Sequence, residues 1–194
     1  MQRYRNMEVA LRRFGEKNGT LRFMEIGTDD GVLACRLLNG WLRDNSRRRV
    51  WYYGFDEFLR HSLTEVHGRM IDALPWTAHV SLYKGVSEEV LTEVQARLYV
   101  MDFLLWRGGS PESYQHAWSQ VCKLMYDGTQ LFVDDYCPTC NDIGSGHLIR
   151  TIQQMPEYQV TVLDPMETHS SGLDIHLVRV QYRKADYVDP DCAA

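Results

Sequence analysis

A chain of 194 residues with a net charge of −5 can bury one substantial core, and it is too acidic to carry an electrostatic footprint for nucleic acid or an anionic membrane surface. Its apolar share of 44% and charged share of 24% are those of an ordinary globular protein, and no apolar run nears the ~20 residues of a membrane span. No apolar signal core follows Met1-Gln2-Arg3-Tyr4-Arg5, and five cysteines without framework spacing suit a reducing compartment, so a cytoplasmic protein is expected.

Residues 2–17 read as an amphipathic helix, with Met7, Leu11 and Phe14 at helical spacing and Gly15 to Gly19 as the stop. A strand follows at 21–26. Gly27 and Gly31 then bracket a tight turn into a helix over about 31–43, whose inner face would carry Val32, Cys35, Leu38, Trp41 and Leu42. The basic run Arg47-Arg48-Arg49 reads as a solvated connection. Val50 to Phe55, rich in β-formers, makes a second strand that ends at Asp56. Glu57 to Leu74 looks helical, with Leu59, Leu63, Val66 and Met70 in register and Pro75 as the stop.

His79 to Tyr83 gives a third strand, closed by Lys84-Gly85, and Ser87 caps a helix with Glu88 and Glu89 in its first turn. Leu98 to Met101 reads as a fourth strand stopping at Asp102. A loop over 103–109 leads to a helix capped by Ser110 with Pro111 at its first position. Asp127-Gly128 turns the chain into a fifth strand, Gln130 to Val133, which stops at Asp134-Asp135. After a Gly-bearing loop come a short helix over 147–155 and two longer strands, 158–163 and 173–182, the second free to run antiparallel. Residues 185–194 read as a loose tail on a single domain spanning 1–184.

Five β-α units followed by a hairpin predict an α/β fold, a mostly parallel sheet of seven strands with one antiparallel strand and helices on both faces. Strand, Gly-bearing turn and helix N-terminus together build a site for a nucleotide-like ligand at the C-terminal edge of such a sheet. Four acids are placed there: Glu25, Asp56, Asp102 and Asp134. Asp56 lies about 25 residues beyond the glycine turn, near the offset at which nucleotide folds set a carboxylate for ribose hydroxyls.

The assembled motifs resemble the class I S-adenosylmethionine-dependent methyltransferases, with their three-layer Rossmann-like fold, over about residues 20–183. Glu25-Ile26-Gly27-Thr28-Asp29-Asp30-Gly31 matches the first motif of that family, an acid followed by spaced glycines. Three segments are similar to the macrocin and catechol/caffeoyl-CoA types of small O-methyltransferase: Gly54-Phe55-Asp56-Glu57-Phe58, Leu82-Tyr83-Lys84-Gly85 and Val133-Asp134-Asp135-Tyr136. The resemblance implies that Gly27, Thr28 and Gly31 shape the loop at the methionine portion of the cofactor. It puts Glu25 near the amino group, Asp56 at the ribose, Gly85, Val86 and Ser87 beside the adenine, and Asp102 at the cofactor side. Asp102, Asp134 and Asp135 match the divalent-metal acids of the metal-dependent branch, and a group of hard carboxylates suits Mg²⁺.

Methyl transfer needs a nucleophile with an exposed electron pair. An alkyl hydroxyl near the pKa of water, ~15.7, is ionised to about one part in 10⁸–10⁹ at neutral pH, whereas a phenol near ~10 is ionised to about one in a thousand. A metal, a general base or both must close that gap for an alcohol. Relatives carry an acid or a lysine two or three residues after the metal aspartate; here those positions hold Leu104 and Leu105, and Arg107 is too basic to accept a proton. His116, His147 and His169 are the substitutes the sequence offers.

The implied activity is O-methylation of a small hydroxylated acceptor, a sugar, phenol or similar, with no nucleic-acid or membrane partner; whether the chain forms a homo-oligomer is left open. Two other readings stand beside it. The missing base also suits a methyltransferase-like protein that binds cofactor without turnover. Cys137-Pro138-Thr139-Cys140 could be a redox pair or half a zinc site with His147, although two loop thiols without a role is the simpler reading. A nicotinamide dehydrogenase is disfavoured because the turn lacks Gly-x-Gly-x-x-Gly spacing.

Overall fold

The computed structural model describes residues 3–43, 46–139, 145–168 and 174–183. The expected tail, Cys140 and His169 lie outside them. Seven strands form one sheet: β1 (Thr20–Ile26), β2 (Arg49–Asp56), β3 (Ala78–Lys84), β4 (Phe103–Trp106), β5 (Gln130–Tyr136), β6 (Tyr158–Thr168) and β7 (Asp174–Tyr182). Their order is β3-β2-β1-β4-β5-β7-β6. β1 to β5 run parallel, and β7 pairs antiparallel with both β5 and β6. The predicted architecture is therefore the observed one.

Six helices cover the two faces. α1 (Arg5–Lys17), α2 (Val32–Leu42) and α3 (Leu63–Ala73) enclose a core with Phe23, Tyr52, Phe103 and Phe132 on one face. α4 (Ser87–Val94), α5 (Pro111–Val121) and α6 (Gly146–Gln153) enclose Met24, Phe55, Leu104 and Val133 on the other. Alternation along each strand sends odd and even positions to opposite cores, so the central strands read as continuous apolar runs, as buried parallel strands must. Among the described residues no helix is long and apolar enough to cross a membrane.

Two predicted elements move, and one of the shifts matters for the site. α3 begins only at Leu63, because Ser62 and Glu65 form a reciprocal capping box there and leave 57–62 as loop. The fourth strand is not Leu98 to Met101 but Phe103 to Trp106. Tyr99 and Val100 are exposed, whereas all four residues of β4 are at most 2% exposed. Asp102 consequently precedes β4 instead of ending a strand. It sits at the N-terminal edge of the sheet, where its Oδ2 accepts the Arg22 amide at the start of β1 (2.7 Å) and its Oδ1 accepts the Tyr126 hydroxyl (2.7 Å). Its carbonyl accepts the amide of Gln130, which opens β5 (3.1 Å). There it acts as a fastener between strand starts.

Candidate functional site

The C-terminal ends of β1, β2, β4 and β5 open onto a crevice of about 670 Å³, within the range of small-ligand sites. Gly27, Asp29, Asp56, Val86, Ser87, Trp106, Arg107 and Asp135 border it. Its wall holds five carboxylates (Asp29, Asp56, Glu57, Glu88, Asp135) against two guanidiniums (Arg60, Arg107), which gives it a negative potential that favours a cationic ligand.

Backbone strain gathers at this crevice. Among the described residues three that are not glycine have positive φ: Asp29 (53°), Phe58 (51°) and Asp135 (60°). All three line it. A left-handed residue with a Cβ costs about 1–2 kcal/mol, and such conformations persist where the surroundings hold them, most often at functional sites. This signal could not be read from the sequence.

The β1 turn is built as its glycines suggested. Gly27 has φ +82°, and a Cβ on it would lie 2.1 Å from the Arg107 carbonyl oxygen, so the loop after β4 approaches as closely as a glycine allows. Gly31, at φ +74°, stands at the N-cap of α2. Asp56, at the tip of β2, is fixed by two backbone amides: Asp29 donates to Oδ2 (2.8 Å) and Phe58 to Oδ1 (2.7 Å). Each carboxylate oxygen keeps a second lone pair for a ligand. Gly85 ties the neighbouring loop to the Asp56 carbonyl (3.0 Å), and this brings Val86 and Ser87 to the rim.

The other strand-tip acids are not presented in this way. Glu25 is wholly buried, two residues beyond Phe23 on the same face of β1. It accepts from the Tyr52 hydroxyl (2.6 Å) and pairs with Arg107 Nε (3.1 Å). Burial pushes its carboxyl up to about 7, with Arg107 and Tyr52 pulling the other way. Arg107, just past β4, also donates through Nη2 to the carbonyls of Gly27 (2.7 Å) and Thr28 (3.2 Å). Burial works against its charge, but Glu25, Tyr4 and Tyr52 outweigh it and hold its pKa above the usual arginine value. Thr28 is buried against Tyr52, with 3.3 Å between hydroxyl oxygens. A guanidinium therefore stands where the sequence reading placed an acid, and Glu25 faces protein partners.

Asp134 is likewise buried. Its Oδ2 accepts from Arg3 (3.1 Å) and from the Tyr4 hydroxyl, and its Oδ1 accepts the Asp135 amide (2.9 Å). Burial and Asp135 push its carboxyl up, opposed by Arg3 and Tyr4. Asp135 reaches the crevice with its side chain 41% exposed, 3.8 Å from the other end of Arg3. The Tyr114 hydroxyl, fully buried beneath Gly109, has no hydrogen-bond partner among the described residues.

No protein-family model matches the chain, and no curated protein does either. Solved structures do. The chain is similar to the O-methyltransferase NovP (20% identity, TM-score 0.69, covering 94% of this chain and 80% of that one). An O-methyltransferase from Bacillus cereus in complex with SAH gives 19% identity and a TM-score of 0.65, covering 91% and 80%. An rRNA methylase from Streptococcus thermophilus gives 12% and 0.66, covering 94% and 97%. The fold is that of the class I S-adenosylmethionine-dependent methyltransferases.

Within a methyltransferase fold two groups can be tested against the residues present. The crevice fits S-adenosylmethionine: a close-packed glycine turn, a fixed carboxylate at the tip of β2 and a wall of net negative charge meet a cationic nucleoside. A divalent ion does not fit. Asp102 lies at the opposite edge of the sheet from Asp134 and Asp135, Asp134 is engaged by protein donors, and no group of three candidate ligands converges among the described residues. The trio implied by the resemblance is thus not brought together. The substitute bases fare no better. His116 and His147 are exposed, and the His116 ring lies against the Glu112 carbonyl of its own helix. Cys137 is buried beside Thr139 at the end of β5 (3.3 Å between Sγ and Oγ1).

Proposed function

We propose that this chain is an S-adenosylmethionine-dependent methyltransferase that O-methylates a small acceptor with an acidic hydroxyl, phenolic rather than aliphatic. The observation that carries this reading is Asp56, a carboxylate at the tip of β2 clamped by two backbone amides, one of them from the glycine turn itself, and bordering an acidic crevice. The cofactor supplies an electrophilic methyl group on a sulfonium. Gly27, Asp56, Val86 and Ser87 would hold its nucleoside and methionine parts; buried Glu25 would act on it only through its field.

On the acceptor side Asp135 is the open carboxylate, and we assign it the acceptor's proton at a carboxylate oxygen. A carboxylate is a weak base, and without a Lewis acid an alkyl hydroxyl near ~15.7 stays protonated. A phenol near ~10 is within reach, which is why the acceptor is narrowed to that class. The excess of carboxylates would repel a polyanion, which supports a small molecule over nucleic acid. Incubation with S-adenosylmethionine and a panel of phenols and sugars, read by mass spectrometry, tests this. A methylated phenol whose formation falls at least about a hundredfold in Asp135→Asn supports the assignment; methylated sugars alone, or an unaffected variant, overturn it.

One observation favours a second reading, cofactor binding without turnover: Arg107 and Arg3 fill the acceptor side with internal ion pairs. Any methylated product dependent on Asp56 removes it.

A further inference from the structure

The segment before α1 does something that strand-tip acids alone would not suggest. Tyr4 is buried, with its carbonyl accepting the Glu8 amide of the first helical turn (3.0 Å), so α1 fixes its position. Arg3 is thereby carried to the end of β5. One arm of its guanidinium lies 3.1 Å from Asp134 Oδ2 and the other 3.8 Å from Asp135 Oδ1. The Tyr4 hydroxyl shares Asp134 Oδ2, and the Arg3 guanidinium lies 5.4 Å from the Tyr4 ring centre. Side-chain exposure is 12% for Arg3 and 3% for Asp134, so this pair is not a solvent-exposed ion pair of small effect.

Two adjacent carboxylates at a strand end need a positive partner. Mg²⁺ would require near-octahedral oxygen coordination at about 2.0–2.1 Å and several retained waters. Asp134 Oδ2 is taken by Arg3 and the Tyr4 hydroxyl and Oδ1 accepts the Asp135 amide, so a divalent ion could reach this carboxylate only beside a retained guanidinium, where it would meet strong repulsion at this depth. The third acid that could complete a cage, Asp102, is across the sheet.

We propose that Arg3 is a built-in cation that occupies the Asp134–Asp135 pair in place of a divalent metal, so that this rim neither binds nor needs one. A guanidinium supplies charge and a fork of donors but cannot ionise a bound hydroxyl as a Lewis acid, because it offers no vacant coordination position. The inference rests on reading this rim as the acceptor side of a methyltransferase, but its test reads cation occupancy, so failure of one is distinguishable from failure of the other.

The test titrates the full chain with Mn²⁺, following the free-ion electron paramagnetic resonance signal. Wild type and Arg3→Lys are expected to leave that signal unchanged. Arg3→Gln is expected to gain one saturable site at least about tenfold tighter than any in wild type, and adding Asp135→Asn should abolish it. Circular dichroism confirms that each variant is folded, and Arg3→Met serves if Arg3→Gln is not. A stoichiometric Mn²⁺ site in wild type that Asp135→Asn removes would overturn the proposal. So would the absence of a site in both the folded Arg3 variant and wild type, because Arg3 would then not be what excludes the ion.

Discussion

The two ends of the crevice use the same residue type in opposite ways. At the β2 end Asp56 is held by neutral backbone amides and keeps a lone pair on each carboxylate oxygen for a ligand. At the tips of β1 and β5 the buried acids Glu25 and Asp134 are each paired with an internal guanidinium, Arg107 and Arg3. The difference teaches that a strand-tip acid serves a ligand only while part of its carboxylate stays open to the crevice, as in Asp56 and the 41% exposed Asp135. Where the acid is buried against an arginine, the carboxylate has become part of the scaffold.

That contrast can be broken from either side. The largest effect is expected from Arg107→Leu, which strands a buried carboxylate. Removing one partner of a buried pair costs about 3–5 kcal/mol, read as a loss of denaturant stability, whereas Asp56→Asn at the open end should cost far less. Gly27→Ala comes next. Its methyl would collide with the Arg107 carbonyl at 2.1 Å on a left-handed backbone, a strain on the order of 2–3 kcal/mol, with ligand affinity lost in parallel.

Asp102→Asn sharpens the comparison from the far edge of the sheet. Replacing an acceptor of the Arg22 amide and the Tyr126 hydroxyl should cost about 1–2 kcal/mol of stability while leaving S-adenosylhomocysteine affinity within about twofold, since distant sites rarely couple. A large loss of affinity would restore Asp102 to the site.

The smallest effect is one of pH. Glu25 is raised from about 4.5 to about 7 on folding, so between those values the folded state binds the extra proton. Its contribution is present in full below about pH 4.5 and is lost as pH rises through about 7. Melting temperature should therefore decline across that window from this group, and Glu25→Gln, which cannot ionise, should flatten the decline. An unchanged slope would mean that Arg107 keeps Glu25 ionised throughout.

Much of the fold was legible because buried parallel strands announce themselves as apolar runs between glycines and caps: β1, β2 and β5 lie where such runs stand, and the half-exposed edge strand β3 lies where Lys84-Gly85 closes a short run. The fourth strand was not, for a physical reason. Leu98 to Met101 and Phe103 to Trp106 are both apolar and flank one aspartate, and nothing local says whether Asp102 ends the first run or anchors the start of the second. The choice is made by Arg22 and Tyr126, 80 and 24 residues away in sequence. That one slip moved an acid to the wrong edge and hid Arg107 at the true tip.

For the site, the glycine turn and the acid ending β2 were readable as a local pattern, whereas Val86 and Ser87 were reached only through the family resemblance; all of them border the crevice. Arg3 and Tyr4 were not readable, because they meet Asp134 across 131 and 130 positions. A clue did exist in strand parity: Glu25 and Asp134 each follow a core phenylalanine, Phe23 and Phe132, by two residues and so share its buried face, the one covered by α1. The strained residues Asp29, Phe58 and Asp135 left no trace in composition at all.

Calorimetric titration of wild type and Asp56→Ala with S-adenosylhomocysteine tests the central claim most directly. Charge-assisted hydrogen bonds of about 1.5–3 kcal/mol predict saturable binding to wild type weakened roughly 10- to 100-fold in the variant. Equal binding to both, or none to the folded wild type, would contradict the assignment of this crevice as the cofactor site.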